Sequence, residues 1–430
     1  MTSASLPRSL APTYRRAMST NAAIARESRH EPQRTRGGDD TIAPAVRLLD
    51  SLLAEATRSA ASDLHFEPDR AGLRIRMRVD GHLRDLAAPP ASLVPALLTR
   101  VRLLARVDLA ERRLPQDGRF TFAGPGGERV DVRAAFLPVA RGEKIALRLL
   151  HHGGAAPALD DIGMAPRERR RLDAALARSN GLIVVAGPTG SGKSTTLYAA
   201  IATLRGPARS VVSVEDPVEL DVEGVSQVPI DDDVGRSFSA VLRALLRQDP
   251  DVLMVGEIRD GESARIACRA ALTGHLVLTS VHASDTREAL LRLPEMGVAD
   301  YLIDATLSLV IAQRLVRRLC KHCSGAAAWT GRVDAQRLFE RAGLAFPETI
   351  AVASGCCRCN DSGYRGRIGL FEMAAGEDDA PLPFGPGSLG AAGLAHVLSG
   401  ETTLEEVLAR CPQPGDEPAS HSGDDGEAKL

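Results

Sequence analysis

Gly187-Pro188-Thr189-Gly190-Ser191-Gly192-Lys193-Ser194 is the stretch that decides the fold of this sequence. It follows the apolar run 182–186 and precedes a stretch with helical character, which is the strand, loop and helix order of a P-loop. In such a loop the glycines let several backbone N–H groups point at one phosphate. Lys193 adds a charge on the β and γ phosphates, and Ser194, followed by Thr195, supplies a hydroxyl for Mg²⁺. The stretch therefore predicts binding of ATP or GTP with Mg²⁺.

Apolar runs alternate with helical stretches on both sides of the P-loop. These runs lie at residues 182–186, 210–214, 252–255 and 275–280. Continuous apolar strands separated by helices are typical of a mostly parallel sheet that is covered on both faces. The sequence thus predicts an α/β fold with a RecA-like P-loop NTPase core over residues 160–375.

A second region, residues 41–150, precedes this core. It starts with apolar residues at helical spacing, and Asp80-Gly81 is a hairpin signal directly after the alternating run 73–79. Further strand signals lie at 119–122, 130–133 and 145–150. We predict a small N-terminal α/β domain, joined to the core by the Gly-, Ala- and Pro-rich linker 151–159.

Both ends of the chain differ in composition from these two regions. Residues 1–38 carry seven arginines and two glutamates, which predicts a disordered basic arm over 1–40, although the composition also fits a transit peptide. Residues 376–430 are predicted to be an abbreviated C-terminal helical segment with a polar tail. The last helix is expected over 403–410, with a capping box from Thr402 to Glu405.

Bulk composition excludes several classes of protein. The 430 residues are 44% hydrophobic and 25% charged, as expected for folded domains rather than a disordered chain. Net charge is −2 and aromatic residues are 3%, so neither charge nor stacking rings favour nucleic acid. No run approaches the roughly 18 to 20 apolar residues that cross a bilayer, so we expect no direct membrane insertion.

Acidic residues directly follow two of the predicted strands. Glu257 follows the run 252–255, at the edge where a parallel sheet places it beside the P-loop, and it is our leading catalytic acid. Glu215-Asp216, with Glu219, forms a second candidate set. His282 at the end of the run 275–280 is predicted to sense the γ phosphate, whereas His275 at its start is expected to be structural.

Two Cys-x-x-Cys pairs interrupt the core. Each pair can chelate from a tight turn, and four thiolates close a tetrahedral Zn²⁺ site. Because two Cys-x-x-Cys pairs are present, metal binding is favoured over a redox role for either pair. The predicted ligands are Cys320, Cys323, Cys356 and Cys359, in an inserted zinc subdomain over 320–359.

Together these residues resemble a known family. The sequence Leu246-Arg-Gln-Asp-Pro-Asp-Val-Leu-Met-Val-Gly-Glu-Ile-Arg-Asp260, then Ala271-Leu-Thr-Gly-His-Leu-Val277 and Gly363-Tyr-Arg-Gly-Arg367, is similar to the type II secretion and type IV pilus assembly ATPases, the GspE/PilB-like group. The likeness runs from about residue 41 to 372. It implies that 215–219 match the family's aspartate box, 256–257 its Walker B motif and 275–282 its histidine box.

The resemblance also implies a function and further site residues. Arg119 and Arg133 look like arginines of the first domain that reach the nucleotide when the two domains close. Family members are hexameric rings at the cytoplasmic side of the inner membrane, where ATP hydrolysis moves a polytopic membrane platform protein. The four cysteines favour the assembly or secretion branch over the retraction motors. The alternatives are a retraction-type ATPase, a nucleic-acid motor on a RecA-like core and a regulatory ATP-binding subunit.

Overall fold

A computed structural model describes residues 42–151, 156–331, 334–376, 379–382 and 384–412. The predicted basic arm 1–40, residues 152–155 of the linker and the polar tail from residue 413 lie outside the described residues. The described part contains two large sheets, one on each side of the predicted linker 151–159.

The first sheet has six antiparallel strands in the order β3-β2-β1-β6-β5-β4. Its strands are β1 Asp63–Asp69, β2 Gly72–Val79, β3 His82–Asp85, β4 Gln116–Ala123, β5 Arg129–Val139 and β6 Gly142–His151. The alternating run predicted at 73–79 is β2, whose apolar residues are buried while its arginines line the other face. Helices α1 (Ile42–Arg58) and α2 (Val94–Ala105) pack on the apolar face and complete a core of their own.

The turn between β2 and β3 is the one that the sequence predicts. Asp80 and Gly81 have φ of +49° and +82°, so both central residues lie in the left-handed region. This is the backbone of a type I′ hairpin turn, which Asp-Gly favours because aspartate tolerates and glycine readily adopts positive φ. The turn projects from the end of the sheet toward the second half of the chain.

The second sheet has seven strands in the order β15-β12-β7-β11-β10-β8-β9. Its strands are β7 Gly181–Ala186, β8 Val211–Glu215, β9 Ser226–Pro229, β10 Val252–Val255, β11 Leu276–Val281, β12 Leu307–Leu319 and β15 Tyr364–Ala374. All neighbouring pairs are parallel except β12 with β15. The predicted α/β class with a mostly parallel sheet is confirmed, and hydrophobic clusters cover both of its faces.

Helices connect the strands of this second sheet and flank it. They are α3 Pro166–Leu176, α4 Lys193–Leu204, α5 Phe238–Leu245, α6 Gly261–Leu272, α7 Thr286–Glu295, α8 Asp300–Thr306, α10 Leu389–Leu398 and α11 Leu404–Arg410. The cysteine-bearing insertion between β12 and β15 adds β13 Gly325–Ala327, α9 Ala335–Arg341 and β14 Ile350–Val352. Strands β9, β12 and β15 and helix α10 were not predicted from the sequence.

The capping residue predicted for the last helix is wrong by one position. Thr403, and not Thr402, is the N-cap of α11, and its hydroxyl accepts a hydrogen bond from the Glu406 amide. Thr402 instead donates its hydroxyl to the Arg317 carbonyl at 2.8 Å. Both threonines match the capping pattern locally, so the contact of Thr402 with β12 leaves Thr403 to begin the helix.

Glu372 on β15 joins two helix starts inside the core. One of its carboxylate oxygens accepts from the Thr286 amide at 3.0 Å and from the Thr286 hydroxyl at 2.6 Å. The other accepts from the Leu389 amide at 3.0 Å. Burial raises the pKa of this carboxyl, while these three donors act in the opposite direction. Glu372 therefore holds the first turns of α7 and α10 against the same strand.

We expect Glu372→Ala to destabilise the second half of the chain by about 3 to 5 kcal/mol, because it leaves three buried donors without an acceptor. Urea unfolding followed by circular dichroism measures this loss. Glu340→Ala removes an exposed glutamate of α9 and is the control, with an expected change within about 0.5 kcal/mol. Equal stability of the two variants would contradict the bridging role.

Candidate nucleotide-hydrolysis site

The P-loop lies between β7, which ends at Ala186, and α4, which begins at Lys193. The Lys193 ammonium donates to the Gly187 carbonyl at 2.7 Å and to the Pro188 carbonyl at 3.2 Å. Burial lowers the pKa of Lys193, and the nearby Glu257 carboxylate partly offsets this effect. Ser194 and Thr195 are exposed in the first turn of α4. The loop thus has the strand, glycine turn and helix start that the sequence predicts.

Two P-loop glycines are required by a close neighbour, Gln313 of β12. A Cβ atom at Gly187 would lie 2.7 Å from the Gln313 carbonyl oxygen, and one at Gly192 would lie 2.7 Å from Gln313 Nε2. Gly192 also has φ of +94°. The Gln313 side chain is buried and accepts from the Thr196 hydroxyl at 2.7 Å. Strand β12 therefore braces the phosphate-binding loop, a role that the sequence did not predict.

The structure brings Glu257 and His282 together. His282 Nε2 lies 2.6 Å from Glu257 Oε1, and the Glu257 side chain is only 18% exposed. Strand β11 holds the glutamate's loop from both sides, because Ile258 N donates to the Ser280 carbonyl at 2.9 Å and Ser280 Oγ donates to the Gly256 carbonyl at 2.7 Å. Two residues predicted from separate sequence runs thus form one pair.

Arg259 is a site residue that the sequence did not single out. Its Nε donates to Glu257 Oε2 at 2.9 Å, and its Nη1 donates to Asp216 Oδ2 at 3.1 Å. The guanidinium therefore links the acids that follow β8 and β10. Arg259 lies only two positions after Glu257 in the quoted run, so the motif contained this residue, but spacing alone does not reveal which acid it binds.

Glu215 occupies a different environment from Glu257. It is the last residue of β8 and is buried, and its carboxylate accepts from the Tyr198 hydroxyl, from the Ser213 hydroxyl and from Gln227 Nε2 at 2.9 Å. Burial and this carboxylate raise the pKa of Tyr198. The Tyr198 oxygen in turn accepts from the Glu219 amide at 3.0 Å. Glu215 is thus fully hydrogen-bonded within the fold.

The other predicted residues are placed as follows. His275 Nδ1 lies 2.9 Å from the Ala270 carbonyl, at the C-terminus of α6 and at the opposite end of β11 from His282. Arg119 and Arg133 are exposed cross-strand neighbours on β4 and β5. Within the described part of this single chain, neither arginine forms a hydrogen bond or ion pair with the P-loop.

The arginines of the first domain extend across its sheet as a row. Arg119 pairs with Arg133, Arg133 pairs with Arg148, and Arg148 pairs with Asp63. Because paired residues of neighbouring strands share a face, all four side chains lie on the same exposed side of the sheet. Asp63 forms an ion pair with Arg148 at 3.2 Å. The row is therefore a positively charged face of three arginines that ends at one acid, Asp63.

Comparison with known proteins identifies the family. A family model described as "Type II/IV secretion system protein" matches residues 39–381. The "Type II secretion system protein E" of Dickeya dadantii is 44% identical over 387 residues, which cover 86% of this chain and 76% of that protein. The "Type IV pilus assembly ATPase PilB" of Myxococcus xanthus is 39% identical, over 89% of this chain and 70% of that protein. The chain belongs to the type II/IV secretion system protein family.

A solved structure agrees with this assignment at the level of the fold. The DotB ATPase of Yersinia pseudotuberculosis matches with a TM-score of 0.62 and 21% identity, over 85% of this chain and 92% of that chain. Membership of the type II/IV secretion family, together with the P-loop, makes this chain an ATP-hydrolysing enzyme, as predicted. None of the helices within the described residues is long and apolar enough to cross a membrane.

The four cysteines of this secretion-family chain form one cluster. The Cys320 and Cys356 sulfurs lie 3.9 Å apart, those of Cys323 and Cys359 lie 3.7 Å apart, and all four lie within 4.8 Å of one another. A tetrahedral Zn²⁺ with Zn–S bonds of about 2.3 Å requires sulfurs about 3.8 Å apart, so the cluster fits zinc. The exposed Cys357 is not part of it.

Backbone amides support the thiolate form of the cluster. Cys359 Sγ accepts from the amides of Cys356 at 3.2 Å and Gly363 at 3.3 Å. Burial alone would raise the pKa of the Cys359 thiol, but these amides lower it. Because the thiolate is the form that binds metal, the turns around the cluster prepare it for a cation.

We expect Cys323→Ser to lower bound zinc and to destabilise the insertion 320–359, because a structural zinc site can contribute on the order of 10 kcal/mol to a small fold. Zinc per chain, measured by elemental analysis, checks this prediction. Cys357→Ser is the control and should leave zinc content unchanged. Full zinc content in Cys323→Ser would remove this residue from the ligand set.

Proposed function

We propose that this chain is a motor that uses ATP hydrolysis to drive type II protein secretion or the assembly of a type IV pilus or pseudopilus. The Glu257–His282 pair beside Lys193 is the observation that carries the proposal, because it unites an acid, a phosphate sensor and a P-loop. In this proposal six copies form a ring at the cytoplasmic face of the inner membrane. A polytopic membrane platform protein receives the movement, and nucleic acid is not a partner.

Hydrolysis needs a positioned water and a stabilised γ phosphate. In the proposed mechanism Lys193 binds the β and γ phosphates, the Ser194 hydroxyl holds Mg²⁺, and the P-loop amides surround the phosphate. Glu257 orients the attacking water and accepts its proton, and His282 contacts the γ phosphate. Arg259 keeps the Glu257 carboxylate oriented by a hydrogen bond of 2.9 Å. When bound, Mg²⁺ would neutralise charge on the phosphate oxygens.

Glu215 was proposed from the sequence as a catalytic acid, and its surroundings favour a positioning role. Its hydrogen bonds with Tyr198 and Gln227 anchor the end of β8 and the loop that follows. That loop carries Asp216, which is exposed and binds Arg259. We propose that Glu215 acts on the reaction through Asp216 and the aspartate-box loop, and not on the nucleotide directly.

Arg119 and Arg133 complete the proposed site from a neighbouring subunit. Both lie exposed on the arginine face of the first sheet, and no ion pair within the described residues neutralises either guanidinium. We propose that in a ring this face of one subunit lies against the P-loop edge of the next. Arginines that stabilise charge on the transferring phosphate can raise turnover by roughly 10³ to 10⁵.

We expect Glu257→Gln to retain nucleotide binding but to lose ATP turnover by about 10² to 10⁴, because glutamine cannot accept the proton. ATPase assays and binding of a fluorescent ATP analogue measure the two properties separately. The same substitution should abolish secretion or piliation in the bacterium that carries the gene. Glu262→Gln, at an exposed site on α6, is the matched control.

Three results would contradict this proposal. Turnover of Glu257→Gln equal to that of the unchanged chain would remove Glu257 from catalysis. Strong stimulation of the unchanged chain by single-stranded DNA would instead favour a nucleic-acid motor. If Glu257→Gln loses ATP turnover but secretion or piliation is unchanged, the chain is still an ATPase, but its ATP hydrolysis does not drive secretion or pilus assembly.

Mixing two inactive variants tests whether the arginines act between subunits. Lys193→Ala loses the phosphate-binding ammonium, and Arg133→Ala loses the arginine, so each alone should be inactive. When they are mixed in equal amounts before assembly, roughly a quarter of ring interfaces should combine an intact lysine with an intact arginine and regain ATP turnover. If mixed rings of verified composition regain no ATP turnover, Arg133 does not act between subunits: it belongs to the site of its own chain or to no nucleotide site.

A further inference from the structure

The β2–β3 turn of the first domain contacts the second half of the chain. Asp80 Oδ2 accepts from the Gly366 amide at 2.9 Å, and Asp80 Oδ1 lies 3.7 Å from Arg367 Nε. Arg84 Nη2 donates to the Ser362 hydroxyl at 3.3 Å. The Asp80 side chain is only 19% exposed. One short segment, residues 362–367, therefore receives this hairpin turn, and we call it the docking segment.

Two cysteines of the cluster hold the docking segment at its start. Ser362 Oγ donates to the Cys359 carbonyl at 2.6 Å, and the Gly363 amide donates to Cys359 Sγ at 3.3 Å. On the other side, the Cys320 amide donates to the Gly363 carbonyl at 2.9 Å. Cys359 and Cys320 come from different Cys-x-x-Cys pairs, so a cation bound by all four thiolates fixes both attachments at once.

The far side of the docking segment rests on α11. The Arg317 guanidinium lies 3.9 Å from the centre of the Tyr364 ring, and it forms an ion pair with Glu406 at 2.6 Å. The Tyr364 hydroxyl is 2.9 Å from the Thr403 hydroxyl. This side is buried and hydrogen-bonded, so the segment has a fixed backing. The cysteine side is then the attachment that metal binding can change.

We propose that the four-cysteine module is the docking platform for the first domain, and that a metal bound there fixes how the two domains are oriented. The contact fits this use chemically, because a carboxylate at a hairpin tip meets a backbone amide and an arginine. Loss of the metal releases the docking segment from Cys320 and Cys359, and with it the surface that receives Asp80. The module thereby influences how the arginine face of the first sheet is presented.

Asp80→Gly tests the contact while preserving the turn. Glycine adopts positive φ without strain, and Gly-Gly is itself a type I′ pair, so the variant removes the carboxylate but keeps the hairpin. Hydrogen–deuterium exchange of the full chain is the measurement, because the Gly366 amide is the donor. Exchange of that amide should become about ten- to a hundredfold faster, with zinc content unchanged.

Asp69→Ala is the matched control for this variant. Asp69 lies at the β1–β2 turn, at the opposite end of β2 from Asp80, and its carboxylate accepts from the adjacent Arg70 amide. Exchange at Gly366 should not change in this control. Unchanged exchange at Gly366 in Asp80→Gly would overturn the docking contact.

Ser362→Ala and zinc removal test the role of the module. Ser362→Ala keeps all four thiols, so zinc content should stay the same, while exchange at Gly366 rises because the segment loses the Ser362 hydrogen bonds to the Cys359 carbonyl and to Arg84. Removing zinc with a chelator should raise exchange in the docking segment and in the β2–β3 turn together. If Gly366 stays protected in both experiments while the chelated protein has lost its zinc, the module is not the docking platform.

Discussion

In-register parallel pairing of β7, β11, β10 and β8 is the constraint on which the site depends. Ala186 pairs with Val281, Val255 pairs with Thr279, and Val255 also pairs with Val214. The strands therefore end at nearly the same level, and each is followed by a residue of the proposed site. Because hydrogen bonds fix this register and both faces are buried, a slip of one strand would disturb the core as well as the site.

The loops at this edge are held by bonds between neighbouring strands. Ser280 on β11 binds the backbone on both sides of Glu257, and Glu215 on β8 binds Tyr198 of the P-loop helix. Glu372 on β15 holds the first turn of α7, which starts four residues after His282. The acid, the histidine and the P-loop are thus each supported by an element other than their own, which is how a site keeps a fixed geometry.

Sequence patterns predicted the elements that are determined by residues close together in the chain. Continuous apolar runs revealed β7, β10 and β11, and glycine spacing revealed the P-loop. Strand β12 was missed because its second half mixes Arg314, Arg317 and Arg318 with apolar residues, as in an exposed segment, although much of it is buried. Its partners in β7, β15 and α11 shelter those arginines, and such partners are distant in sequence.

Contacts with residues distant in sequence also explain why the two acids at the ends of apolar strands, Glu215 and Glu257, have different environments. Glu215 is the last residue of β8, so its side chain continues the buried pattern of the strand and meets Tyr198 and Gln227. Glu257 lies two residues beyond β10, where the chain has left the sheet and can approach His282. A shift of two positions relative to a strand end cannot be read from an apolar run, because strand boundaries depend on pairing.

The polar groups at the P-loop edge already form hydrogen bonds and ion pairs with one another. A bound nucleotide must therefore replace some of these interactions. A phosphate that reaches Lys193 competes with the Gly187 and Pro188 carbonyls for its ammonium, and a water at Glu257 competes with Arg259 and His282. Each exchange changes the partners of a backbone segment or of a neighbouring strand end. In the proposed mechanism these exchanges would release contacts that now hold the loops, and β12 connects that edge to the cysteine module.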